Sequence, residues 1–223
     1  MTSKLQLYDV FSALIPGVIL LCIIAIGFPE ISSGVAAPHM PQSFVVMALT
    51  ILAVFTGHIV QAIASLLEPL LYKTWGSRPS DLALTIGLSD RYFPKDAAER
   101  IVGKLRSAVG STASNRSLFL YAMTLAEADK KSRAASFNAS FAYHRAILIL
   151  AIATVILILL SAKYGALHSL PPARLTWLVL STVALSVLLW YRCKQRAFYY
   201  VREVLMTAER LLDGGSAKDP KTE

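Results

Sequence analysis

His58, Gln61, Ser65 and Glu68 follow one another at spacings of three, four and three, which places them with Gly57 along one face of a helix. They sit in or beside a stretch, 44–67, that contains no Asp, Glu, Lys or Arg. A polar face on such a helix has two uses. Imidazole, amide, hydroxyl and carboxylate groups can pass protons or ions along a path. The same groups can instead hydrogen-bond to neighbouring helices and hold a bundle together. Either use predicts that the face turns into a bundle, because a charge at bilayer depth costs about 2.5–3.5 kcal/mol on insertion scales. One His and one Gln suit helix–helix bonding at least as well as a conducting path.

Three further sets of residues stand out. Asp9, Glu68, His144, Arg145 and Arg192 each flank an apolar stretch and are expected at one depth, as an interfacial ion-pair network that fixes helix order. Gating is the alternative use. Ala128, Ser132, Ala135, Ala139, Ala142 and Ala146 step by four and three, a heptad-like seam of small residues that lets helix backbones approach closely. The seam can pack within the chain or against another protomer. Pro16 and Gly17 in the first stretch provide a hinge or a place of close packing.

Other patterns carry less. No Gly-rich phosphate loop, Ser/His/Asp set or Cys/His metal spacing occurs, so no catalytic residue, cofactor or metal is expected. Arg91, Tyr92 and Phe93 could meet a phosphate or nucleotide, but a solvated basic face accounts for them more simply. Direct contact with nucleic acid is not expected. Cys22 and Cys193 fall in opposite bilayer halves of the topology below, so no bridge between them is expected.

The elements that must position these residues are apolar helices. Stretches 11–28, 44–67, 146–162 and 175–191 all lack Asp, Glu, Lys and Arg. A helix needs roughly 20 apolar residues to cross the hydrocarbon core. The chain is 55% apolar and 16% charged, with a mean hydropathy of +0.55, and its charges are segregated from these stretches. Composition and segregation together predict an all-α integral membrane protein with four transmembrane helices and a helical cytoplasmic extension. The first stretch exceeds the usual apolar core of a cleaved signal, roughly 7–15 residues, and is expected to remain as a span. Val35-Ala36-Ala37 is only a faint cleavage-like sequence.

The net charge of +8 is unevenly placed. Residues 29–42 carry no Lys or Arg, whereas the middle segment and the C-terminal tail are rich in both. Lys and Arg accumulate on the cytoplasmic side. The expected topology therefore has both termini inside and two short outer loops.

The expected organisation is a first transmembrane hairpin over 1–68, a cytoplasmic helical segment over 69–145, a second hairpin over 146–191, and a cytoplasmic helix and tail over 192–223. Within the middle segment, Ala97, Ala98, Ile101, Val102, Leu105 and Val109 predict an amphipathic helix over 95–109 that ends at Gly110. No Gly or Pro interrupts 115–163, which predicts one helix running into the third span, more than ~60 Å long. Phe198, Val201, Val204, Leu205, Ala208, Leu211 and Leu212 predict a separate amphipathic helix after the fourth span.

The opening Tyr8-Asp9-Val10-Phe11-Ser12-Ala13-Leu14-Ile15-Pro16-Gly17 resembles the Asp-x-x-x-x-Leu-Ile-Pro-Gly start of uncharacterised bacterial inner-membrane proteins. Gly57-His58 and Phe141-Ala142-Tyr143-His144-Arg145 are similar to that group. The layout also resembles the small four-span effectors of anti-phage defence, in which a cytoplasmic part receives a signal and the membrane part assembles and makes the membrane leaky. This resemblance implies no catalytic residue. Layout and resemblance together lead to the expectation of a non-enzymatic, homo-oligomeric inner-membrane protein that permeabilises the membrane or conducts ions under control of its cytoplasmic part. The alternative is a membrane anchor that recruits a cytoplasmic protein partner.

Overall fold

The computed structural model describes residues 7–30 and 41–216, with side chains described over 12–30 and 41–213. Among the described residues all regular structure is helical. In chain order the helices are α1 (Leu7–Gly27), α2 (Gln42–Leu66), α3 (Glu68–Thr74), α4 (Pro79–Thr85), α5 (Lys95–Val109), α6 (Asn115–Ala128), α7 (Ala134–Tyr164) and α8 (Pro172–Ser216), with a 3-10 turn at Ala166–Ser169. Three of them, α2, α7 and α8, are long and apolar enough to cross a membrane, and α1 carries a shorter apolar segment, Ser12–Gly27.

Local chemistry sets the helix ends. Pro79 and Pro172 stand in first turns, where a missing N–H costs nothing. Ser114 caps α6 by accepting from Ser117 N at 3.2 Å. Gly110, at φ 128°, closes α5 in a conformation that suits glycine.

Two boundaries differ from the sequence expectation. The helix expected without interruption from residue 115 into the third span is broken at 129–133. Asp129 Oδ1 accepts from Lys131 N at 2.9 Å, and Ser132 Oγ accepts from Ala134 N at 3.1 Å. Short polar side chains here take the amide protons that a continuing helix would have used. The fourth apolar stretch and the amphipathic segment after it, expected as separate helices, form the single helix α8. No Gly or Pro lies between 173 and 213 to end it.

The chain divides into two compact units, Met1–Glu68 with Ala142–Cys193, and Pro69–Phe141 with Lys194–Glu223. Helices α7 and α8 contribute to both.

In the first unit α1 and α2 pack antiparallel through small residues. A Cβ built on Gly17 would overlap the carbonyl of Ala53, and one on Gly57 would overlap that of Ala13. The two backbones therefore touch, with Pro16 buried beside them and α1 continuous through it. Helix α7 joins through Ala64 and Ala146, both fully buried, and through Val60 and Leu150.

The second unit has its own apolar core. Leu84, Leu88, Phe93, Ile101, Leu105, Leu118 and Ala122 meet Val201, Val204, Leu205 and Ala208 of α8. The C-terminal part of α8 is thus one wall of a helical bundle with α4, α5 and α6. The turn before α5 is tight: Gly87 has φ 80°, and Leu88 N donates to Phe93 O at 2.7 Å.

Candidate functional site

The polar face of α2 divides into two parts. Gln61 Nε2 donates to the Ser12 carbonyl at 2.9 Å and contacts Ser12 Oγ at 3.2 Å, bonding α2 to α1. Ser65 Oγ accepts from an Arg145 guanidinium nitrogen at 2.8 Å, and the other terminal nitrogen pairs with Glu68. Arg145 is buried on α7, and its guanidinium reaches Ser65 on α2 and Glu68, which the break at Leu67 makes the first residue of α3 rather than a continuation of the α2 face. A guanidinium fork suits this double role. Gly57 faces α1 and makes the backbone contact described above. His58 is different: its side chain is exposed, away from the buried row Ala53, Gly57, Val60 and Ala64.

Of the expected interfacial cluster, Glu68 and Arg145 come together. His144 sits edge-on to Tyr143 at 5.6 Å between ring centroids, and Arg192 is exposed on α8. The side chain of Asp9 lies outside the described residues. Pro16 and Gly17 are buried where α1 meets α2.

The small-residue seam is spread over three settings. Ala128 is the last residue of α6, Ser132 lies in the intervening turn, and Ala135, Ala139, Ala142 and Ala146 are on α7. Ala128 and Ala135 are exposed, Ser132, Ala139 and Ala142 are half-buried, and Ala146 is fully buried against α2.

A second polar clasp fastens the far end of α1 to α7. Ser161 Oγ is buried, donates to Gly27 O at 2.7 Å and accepts from Leu167 N at 3.3 Å. Gly165 lies so close to the Gly27 carbonyl that a side chain there would displace it. The sequence reading missed Ser12, Gly27, Ser161 and Gly165. A usable signal was present for the α1–α2 contact: Ala13-x-x-x-Gly17 and Ala53-x-x-x-Gly57 are paired small-x-x-x-small motifs. Ser161 offers no such signal, since a lone serine at a span end is ordinary.

The aromatic–basic loop is used in packing. Phe93 is buried in the second unit's core, and Tyr92 accepts from Gln195 Nε2 at 3.3 Å. The Tyr92 ring lies 5.5 Å from Phe198 and 5.3 Å from Tyr199. Arg91 lies over the Tyr92 ring at 5.7 Å.

Ion pairs hold α8 in the second unit. Glu209 Oε1 receives Arg100 Nε at 2.6 Å and Lys104 Nζ at 3.1 Å, and Lys104 also reaches Asp213 at 2.8 Å. Arg210 pairs with Asp129, and Glu203 accepts from Arg133 N at 3.1 Å. The hydrogen bond from Arg100 and the charges around it hold the Glu209 carboxyl below its usual range. Lys104 is correspondingly raised, chiefly by its bond to Asp213. Burial, with Glu127 nearby, raises the Tyr200 phenol.

An open groove of about 440 Å³ lies between α7 and α8 in the first unit, lined by Leu148, Ile152, Ile156, Val183, Val187 and Trp190 among others. The one hydroxyl on it, Ser186 Oγ, bonds back to Thr182 O at 2.9 Å. Among the described residues no group of three or more His, Cys, Asp or Glu is arranged to hold a metal ion. No protein-family model matches the chain, and neither a curated protein nor a solved structure matches it.

Proposed function

We propose that the chain is a non-enzymatic, homo-oligomeric four-span protein of the bacterial inner membrane, with both termini cytoplasmic, that anchors its polar helical unit at the membrane to receive a cytoplasmic protein partner. One observation carries the anchor reading. Gln61, Ser65 and Glu68, three of the four polar side chains expected to line a path, are bonded within the protomer to Ser12 and Arg145. Groups spent on helix–helix bonds stiffen a bundle and are withdrawn from conduction. The core shared by α4, α5, α6 and α8 supports a folded module that the membrane helices hold in place.

A second reading, a membrane-permeabilising effector of anti-phage defence, is favoured by the fourth apolar stretch. No residue of the most apolar part of α8 is buried. Trp177 is 73% exposed and Leu188 67%. Such a helix can face lipid or change partners during assembly. Induction in cells, with potassium efflux and membrane potential followed over time, separates the two. The anchor reading predicts no change in either, and no effect of Gln61→Leu on them. Rapid efflux on induction would replace the anchor with the effector.

A further inference from the structure

His58 lies on α2 eight residues before Leu66, about 12 Å along the helix axis at ~1.5 Å per residue. In the four-span reading, on which this inference rests, that depth is inside the hydrocarbon layer. An imidazole on a single methylene is too short to reach the headgroups as Lys or Arg can. Its neighbours on the same face are Phe44, Met47, Ile51, Phe55 and Ala62, at spacings of three, four, four, three and four through His58. All are exposed, and the four large ones are each more than half exposed. Steps of three, four and four repeat every eleven residues, the spacing of a straight to right-handed helix–helix seam, and a single polar member can set the register of such a seam.

We propose that this α2 stripe docks on the same stripe of a second copy of the chain, with the two His58 side chains meeting across the contact. Neutral imidazole has one donor and one acceptor nitrogen, so it can pair with its own kind across a two-fold axis. That pairing removes an otherwise unsatisfied polar group from lipid. The opposite side of α2 is occupied by α1 and α7, so the stripe remains available to another chain. The seam on α2 is separate from the small-residue row of α7.

The test is disulfide cross-linking of the full chain in native membranes. Exposed Cys22 is replaced by Ser, and buried Cys193 is kept. Single cysteines are placed at 47, 51, 55 and 62 on the stripe, and at 52, 59 and 63 on exposed positions off it. Covalent dimer is expected at the first set and not at the second. In the Phe55→Cys background, His58→Leu should lower the dimer yield roughly three- to tenfold, the loss of one interhelical hydrogen bond, whereas His58→Asn should retain most of it. Dimer at all seven positions, or at none, or only at 52, 59 and 63, would overturn the proposal. So would equal yields from the Leu and Asn variants. An alkaline wash of the same membranes separates the two levels of failure. Retention of the chain without stripe-specific dimer removes the seam alone, whereas release of the chain removes the membrane reading and the seam with it.

Discussion

Arg145 ties α7 to Ser65 and Glu68 within the first unit. Its guanidinium is buried and answers two oxygens, Ser65 Oγ and the Glu68 carboxylate. Removing one member of such a pair leaves the other desolvated and uncompensated, whereas replacing both can be nearly neutral. Arg145→Met should therefore destabilise the protein in detergent by about 2–4 kcal/mol, somewhat below the fully buried case because Glu68 is partly exposed. The double variant Arg145→Met, Glu68→Leu should recover most of that loss. Denaturant titration of the single and double variants measures the coupling, and independent, additive effects would remove the bridge from the account. A subtler side chain is His58. The sequence places it in a polar series with Gln61, Ser65 and Glu68, but a shared face does not mean a shared partner. Gln61 sits near enough to α1 to find Ser12, whereas His58, on the far flank of the same arc, passes outside it.

At the scale of elements, the α1–α2 pair works because both helices present small residues at the crossing. Gly57→Val places branched carbons where the Ala13 carbonyl lies, so the helices must separate. Overpacking of this kind costs about 1–3 kcal/mol. Valine at exposed Ile63, off that crossing, should cost far less, and thermal unfolding in detergent compares the two. The four apolar stretches, the amphipathic helix over 95–109 and its end at Gly110 were legible because each is written in local composition and period. The break after Ala128 was not. It depends on Asp129 and Ser132 capping a turn, and on Glu203 and Arg210, 70 and 81 residues away, meeting Arg133 and Asp129. The apolar face of the segment after residue 194 was also legible, but not that its partners would be α4, α5 and α6. The ion pairs that hold this segment give a pH prediction. Glu209 is depressed in the folded state, so its contribution is present above the unfolded carboxylate value and is lost as pH falls through the lower folded one. Lys104 is raised, so its contribution persists until pH rises past its elevated value. Thermal stability in detergent should be flat near neutrality and fall in the acid range, and Glu209→Gln should flatten part of that fall. An unchanged acid limb in the variant would show that these ion pairs do not hold α8.

For the whole molecule, charge segregation is the organising feature. Apolar segments free of Asp, Glu, Lys and Arg collect in one unit, and most ion pairs among the described residues, including all those of α5 and of the C-terminal part of α8, belong to the other. In the proposed topology the charged unit is cytoplasmic, the side that the basic residues flanking the apolar stretches favour. The anchor account requires that both chain segments of that unit, 69–141 and 194–223, lie on one side of the membrane, although they are separated in sequence by two apolar stretches. Topology mapping tests this most directly. A reporter active only in the cytoplasm is inserted within 107–114, fused after Glu223, or inserted within 32–38. The account predicts activity at the first two positions and none at the third. Activity within 32–38, or a C-terminal fusion that is silent while the insertion at 107–114 is active, would contradict it.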